Sequence, residues 1–282
     1  MPEKISAKEK KRQCTPEIKM SFWEHFEAFR WHVIRSAIAI IVMATLALIY
    51  NEFIFDKIIL APKEQGFITN KLLCWIGNKI NVEYFCINNL NLKIINTNMS
   101  GQLTTSIWVS IIAGLILAIP YVLWEFWRFV KPALKEKERK YSRGFVFITS
   151  FLFLTGVVFS YFLIVPLTVN FLGAYKVSES VENYISLNSY IGTVTALSFA
   201  TGLVFEFPVL VYFLTKIGMI SPHFLSKQRK YIIVIILIIG AIITPPDVFS
   251  QIMVSIPLYC LYELSIFISR IAYKSIAAVN FK

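Results

Sequence analysis

The sequence predicts an all-α polytopic membrane protein with six transmembrane helices, and three observations carry that prediction. Of its 282 residues 56% are hydrophobic and only 16% are charged, a balance that an ordinary soluble domain of this length does not have. The apolar residues are gathered into runs separated by polar gaps, as spanning segments require. The Lys and Arg residues behind the formal net charge of +11 are confined to those gaps. A nucleic-acid-binding surface is not implied, because this confinement is the distribution a bilayer imposes.

In chain order, residues 1–19 are polar and lysine-rich, with no apolar region between a basic start and a small-residue cleavage site. They read as a cytoplasmic tail and not as a cleaved signal peptide. Ser21-Phe22-Trp23-Glu24 has the Ser-x-x-Glu spacing of a capping box. Phe22, Phe26, Phe29 and Val33 then recur at helical spacing, with Glu24, Glu27 and Arg30 elsewhere on the turn. This predicts an N-terminal amphipathic interfacial helix that leads into a first span over Val33 to Tyr50.

Residues 51–103 form the longest polar stretch and read as an external cap loop, with Pro62 a structural proline within it. The loop carries Cys74 and Cys86, which either close a short disulfide on the oxidising side or remain two thiols; their spacing leaves both open. The second run, Leu103 to Trp127, ends in Tyr121, Trp124, Phe126 and Trp127, as expected where a helix meets the headgroups. A basic loop, 128–143, follows. The third run, Gly144 to Val165, is bounded by Pro166.

The fourth run, Tyr190 to Thr215, contains Glu206, whose next charged neighbour in the chain is Lys216. Ten residues of helix place the acid about 15 Å from that lysine, near the middle of the hydrocarbon. An acid at that depth costs at least a few kcal/mol, so it calls for a protein partner, a water-filled cavity or a proton. The fifth run, Ile232 to Ile243, covers only about 18 Å as a helix and is either a re-entrant segment or a thin span. Thr244-Pro245-Pro246-Asp247 makes a tight turn, since two prolines cannot continue a helix and Asp247 can cap the next one. The sixth run is Val248 to Ile268, and the fifth and sixth are both expected to be short helices.

Orientation follows from the charge. If the tail, the 128–143 loop, the 216–230 loop and the C-terminus share one side, 22 of the 28 Lys and Arg residues lie there, which makes that side cytoplasmic and puts both termini inside. The whole of 1–282 reads as a single integral membrane domain.

The chemical inventory is thin. His25, His32 and His223 have no metal-ligand spacing to one another or to cysteine, and no glycine-rich phosphate loop is present. Neither a Ser–His arrangement nor an Asp pair can be built at matching depth, so no metal, no cofactor and no catalysis are indicated. An ion- or proton-coupled small-solute transporter using Glu206 is the alternative reading. Such a transporter is expected to be built from two repeated halves, and the halves here differ in loop and span length.

Several blocks converge on one family. They are His25-Phe26-Glu27-Ala28-Phe29-Arg30, Pro120-Tyr121 with Trp124 and Trp127, and Phe129-Val130-Lys131-Pro132-Ala133-Leu134 with Glu138-Arg139. To these add Gly156 with Phe159, Tyr161-Phe162 and Pro166, then Phe205-Glu206-Phe207-Pro208, and the long block Thr244-Pro245-Pro246-Asp247-Val248-Phe249-Ser250-Gln251 with Pro257 and Glu263-Leu264. Over nearly its whole length the chain resembles TatC, the multi-spanning receptor of the twin-arginine protein translocase.

The resemblance implies a component of the bacterial inner membrane that binds twin-arginine signal peptides of folded cargo at its cytoplasmic face. It implies recruitment of TatA/TatB single-span partners, export driven by the proton-motive force, and self-association in a receptor complex within membrane lipid. Glu27, Arg30, Phe129 and Glu138 would form the signal-peptide site, with Glu138 offering a carboxylate to a guanidinium and Phe129 an apolar contact. The family's second N-terminal acid is Ala28 here, leaving Glu27 or Glu24 to stand in. Glu206, Thr244 and Gln251 would line a groove for partner helices, and Pro132, Pro245, Pro246 and Asp247 would shape the turns.

Overall fold

The computed structural model describes residues 22–64, 66–80, 93–131, 144–175, 178, 183–244 and 248–280, the side chains of 22, 24, 25, 73, 76, 77, 80, 249, 250 and 275–280 excepted. Within these, hydropathy decides the architecture: nearly every long apolar run is a helix, and the helices stand side by side as a bundle. Five segments are long and apolar enough to cross a membrane, namely Phe26–Ile49, Gly101–Val130, Phe145–Ala174, Leu187–Lys216 and Gln251–Lys274.

The first helix, α1, runs without a break over Phe22–Ile49. The expected interfacial helix and the first span are therefore one rod. No Gly or Pro interrupts the chain between them, so nothing stops the backbone hydrogen bonds from propagating. The cap segment then leaves the α-helix, through a π turn at Ile54–Ile59 and a 3-10 turn at Ala61–Lys63, before α2 (Ile68–Ile80). Carbonyls freed by those turns find side-chain donors. Tyr161 and Tyr190 hydroxyls donate to Ile58 O and Ile59 O, each at 2.8 Å. Asn70 Nδ2 donates to Glu64 O at 3.1 Å and reaches the buried Pro62 carbonyl at 3.4 Å, while Asn170 Nδ2 donates to Asn70 Oδ1 at 2.8 Å. The accounting that buried backbone demands is met by polar residues sent up from the spans.

A two-residue strand, β1 (Ile94–Ile95), precedes α3 (Gly101–Val130). It pairs in parallel with β2 (Ile185–Ser186), Ile94 opposite Ile185. α4 (Phe145–Phe159) passes through a π turn at Ser160–Ile164 into α5 (Val165–Ala174), with Pro166 in its first turn, where its missing N–H costs little. The run thus reaches well past the predicted stop at Val165.

α6 (Leu187–Phe205) starts on Ser186, whose hydroxyl accepts from Ser189 N, and ends at Glu206. α7 (Phe207–Lys216) starts at the next residue with Pro208 in its first turn. After α8 (Pro222–Lys227), capped by Ser221, come α9 (Arg229–Ile243) and α10 (Val248–Asn280). At 15 residues, α9 measures about 22 Å, shorter than a normal hydrocarbon core of about 30 Å. α10 is not short: it continues beyond the apolar run that ends at Ile268, because helical hydrogen bonding does not stop where hydropathy does.

Small residues set the closest approaches. A Cβ at Gly114 of α3 would lie 2.4 Å from Ala44 N of α1, and one at Gly156 of α4 would lie 2.7 Å from Phe205 Cβ. α1 packs on α3, α4 on α6, and α7 on α10. Hydroxyls along these contacts bond back to their own helix, as with Thr105 to Gly101 O at 2.7 Å and Ser255 to Gln251 O at 2.7 Å, which satisfies them without a partner helix.

Candidate functional site

The start of α1 and the end of α3 meet at the end of the bundle that carries the basic loops. There Glu125 is only 1% exposed, although it lies one turn from the headgroup-type aromatics. Its carboxylate is held from three sides. His32 Nδ1 bonds Oε2, the Tyr121 hydroxyl donates to Oε1 at 3.1 Å, and an Arg128 guanidinium nitrogen stands 4.0 Å from Oε1. Tyr121 and Arg128 come from the same helix at i−4 and i+3, whereas His32 comes from α1, so the carboxylate ties the two helices together. A buried acid needs such pairing to stay charged at a tolerable cost.

Above this cluster the surface is apolar and then charged. The Phe129 ring lies 5.3 Å from Phe29 and 6.0 Å from His32, both on α1. Glu27 and Arg30 are exposed and 3.6 Å apart, one turn along α1. Arg128 also stacks over Trp124 at 5.6 Å. Three of the four predicted signal-site residues, Glu27, Arg30 and Phe129, are thus carried at one helix junction. Glu138, with Pro132, lies outside the described residues.

Glu206 occupies the junction of α6 and α7. Its backbone carbonyl accepts from both Val209 N and Leu210 N at 3.1 Å, and its side-chain Oε1 is buried with no hydrogen-bond partner among the described residues. Its neighbours Val204 and Phe207 face an apolar cleft of about 60 Å³ shared with α9 and α10 residues such as Ile236, Leu258 and Tyr262. Thr244 is buried and donates to Gly240 O at 2.9 Å, and Gln251 Nε2 donates to Leu237 O at 2.9 Å. Both donors are engaged within the chain, Thr244 on its own helix and Gln251 across to α9; Pro245, Pro246 and Asp247 lie outside the described residues. Among the described residues no hydrogen bond joins either of them to Glu206.

The residues 24–257 match the protein family described as "Sec-independent protein translocase protein (TatC)". The chain belongs to the TatC family. It is 42% identical over 253 residues to the TatC of Blattabacterium sp. subsp. Periplaneta americana (strain BPLAN), covering 89% of this chain and 95% of that one. It is 32% identical over 254 residues to the TatC of Aquifex aeolicus (strain VF5), covering 90% and 96% respectively. Among solved structures it is similar to a crystal structure of the twin-arginine translocase receptor TatC, with a TM-score of 0.70 and 33% identity over 88% of this chain and 99% of that one. A second crystal structure of that receptor, in DDM, gives a TM-score of 0.71 over 86% and 98%. The chain is therefore a multi-span membrane component of the bacterial twin-arginine translocase, a transport protein.

Set against this TatC frame, two polar clusters went unread in the sequence. Glu125 and His32 are 93 residues apart, and only the i, i+4 spacing of Tyr121 and Glu125 within an aromatic helix end hinted at a bonded acid. The second cluster repeats the pattern: the Tyr259 hydroxyl donates to Glu263 Oε1 at 3.1 Å, and Arg229 at the start of α9 bonds Glu263 Oε2 at 2.8 Å. Again an i, i+4 Tyr–Glu pair on one helix receives a nitrogen-bearing side chain from another. Cys74 is disulfide-bonded, and Cys86 lies outside the described residues. Cys260 is a free, exposed thiol.

Proposed function

We propose that this chain is the receptor that captures twin-arginine signal peptides at the cytoplasmic face and gathers TatA/TatB-like single-span partners, so that folded cargo is exported at the expense of the proton-motive force. Phe129, wedged against Phe29 and His32 beside exposed Glu27 and Arg30, carries this reading. An apolar ring ringed by charge suits a peptide that presents guanidinium groups next to a hydrophobic stretch. Glu138 supplies the carboxylate from the adjoining basic loop, and Glu27 takes the place of the acid missing at Ala28. Glu206, with the apolar cleft beside it, receives a partner helix further along the bundle, and Thr244 and Gln251 continue that surface. The solute-transporter alternative rested on Glu206 alone and has no further support.

The test is photocrosslinking from position 129 to a signal peptide in membrane vesicles. A twin-arginine peptide is expected to crosslink, a twin-lysine peptide to crosslink at least tenfold less, and Glu138→Ala to remove the difference. Equal crosslinking of both peptides in the unmodified chain would refute the assignment.

A further inference from the structure

A separate cavity of about 590 Å³ lies at the basic end between the start of α8 and the later turns of α10. On α10, Phe267, Arg270, Ile271 and Lys274 line it at i, i+3, i+4 and i+7, which is one face of the helix. His223 lines it from α8. The four α10 residues are exposed, and their order along the axis is amphiphilic. Phe267 lies deeper in the span and Lys274 about 10 Å further out, toward the end that carries the basic loops.

The charge of this cavity has one sign. Among the described residues no carboxylate lines it, and neither Arg270 nor Lys274 makes an ion pair. Glu263, one turn before Phe267 on the same face, is already held by Arg229 at 2.8 Å. Two fixed cations one turn apart repel each other, and a multivalent or phosphate-bearing anion between them relieves that repulsion. The apolar pair beneath the cations narrows the choice. A soluble anion leaves Phe267 and Ile271 uncovered, whereas a phospholipid covers them with its acyl chains while its phosphate meets the cations. Basic pockets at a helix–membrane boundary select anionic headgroups in this way.

We propose that this cavity is a binding site for an anionic phospholipid, its phosphate held by Arg270 and Lys274 and its acyl chains laid along Phe267 and Ile271. The site is distinct from the Phe129 surface and does not depend on signal recognition. A bound lipid there fastens α8 to α10, two elements that the Tyr262 hydroxyl also links, more than a turn before Phe267, by donating to Leu225 O at 2.6 Å.

The test uses the full chain in detergent and native mass spectrometry with phosphatidylglycerol and phosphatidylcholine of matched acyl chains. Phosphatidylglycerol is expected to be retained preferentially. The preference should fall roughly fivefold on Lys274→Gln and roughly thirtyfold on the double variant Arg270→Gln/Lys274→Gln, taking one surface cation at a time. Lys227→Gln, a basic residue outside the cavity, should leave it unchanged. Millimolar inorganic phosphate should not displace the lipid. Equal retention of the two lipids, an unchanged preference in the single and double variants, or displacement of the lipid by inorganic phosphate would each overturn the proposal. If the double variant fails to fold, the single variant still decides the matter.

Discussion

Replacing His32 with alanine should uncouple α1 from α3, because it leaves the carboxylate of Glu125 buried with one bond fewer. Glu125 is 1% exposed and keeps only the Tyr121 hydroxyl at 3.1 Å and a 55%-exposed Arg128 at 4.0 Å. A charge-assisted hydrogen bond lost from a buried ion costs about 1.5–3 kcal/mol. Water screening of Arg128 prevents it from recovering much of that loss. The unfolding midpoint in detergent, followed by tryptophan fluorescence, should drop by roughly 2–5 °C for a chain of this size. Glu125→Gln should cost less, about 1 kcal/mol, since the amide removes the buried charge and still accepts from Tyr121. The discriminating measurement is the double-mutant cycle of His32→Ala with Glu125→Gln. The pair should show a coupling of about 1–3 kcal/mol, and strict additivity, with a coupling below about 0.5 kcal/mol, would refute the claim that these two side chains hold the helices together.

Other expectations follow from the packing. Gly114→Ala places a methyl 2.4 Å from the Ala44 amide nitrogen and 2.5 Å from its Cα; backbone cannot step aside as a side chain can, so the variant should lose about 1–3 kcal/mol in the same unfolding assay, and an unchanged midpoint would mean the helices are not in contact there. Asn70→Leu removes the acceptor for Asn170 and the donor to the Glu64 and Pro62 carbonyls. It should cost about 1–3 kcal/mol and speed proteolysis within residues 51–80, whereas an unaltered digestion rate would show that the cap is held by other means. Glu206→Gln replaces a carboxyl group whose buried Oε1 has no bonding partner among the described residues, so the isolated protein should be at least as stable while cargo export falls. A lowered midpoint with intact export would count against Glu206 as a functional contact.

The order of the apolar runs was readable because hydropathy reports burial in lipid directly, whereas the run Tyr190 to Thr215 read as one helix and is in fact divided at Glu206. The limits of the helices were less readable. Nothing in the run Ser160–Ile164 announces a π turn, and neither a proline nor a glycine between Arg270 and Asn280 marks an end to α10. Of the candidate site, Phe129, Glu27 and Arg30 were legible through family resemblance, and Glu206 through its isolation in an apolar run. Glu125 was hidden for a physical reason. An acid near the end of a span looks like an ordinary interfacial residue until a histidine from another helix is seen to bury it, and pattern along one helix cannot reveal a partner 93 positions away.

The junction at Glu206 also has a mechanical side. On one side of it α6 is bolted to α4, and on the other α7 is bolted to α10, so a single span belongs to two bodies. Continuity between them runs through one residue, its carbonyl shared by the two amides that restart the helix, and Pro208 contributes no amide to stiffen the link. Torque applied to the α7–α10 body, for instance by a helix wedged into the adjoining cleft, would be absorbed at this articulation before it bent either rod. This break in the span thus coincides with a mid-span acid, and any swing of one body against the other changes what that carboxylate faces.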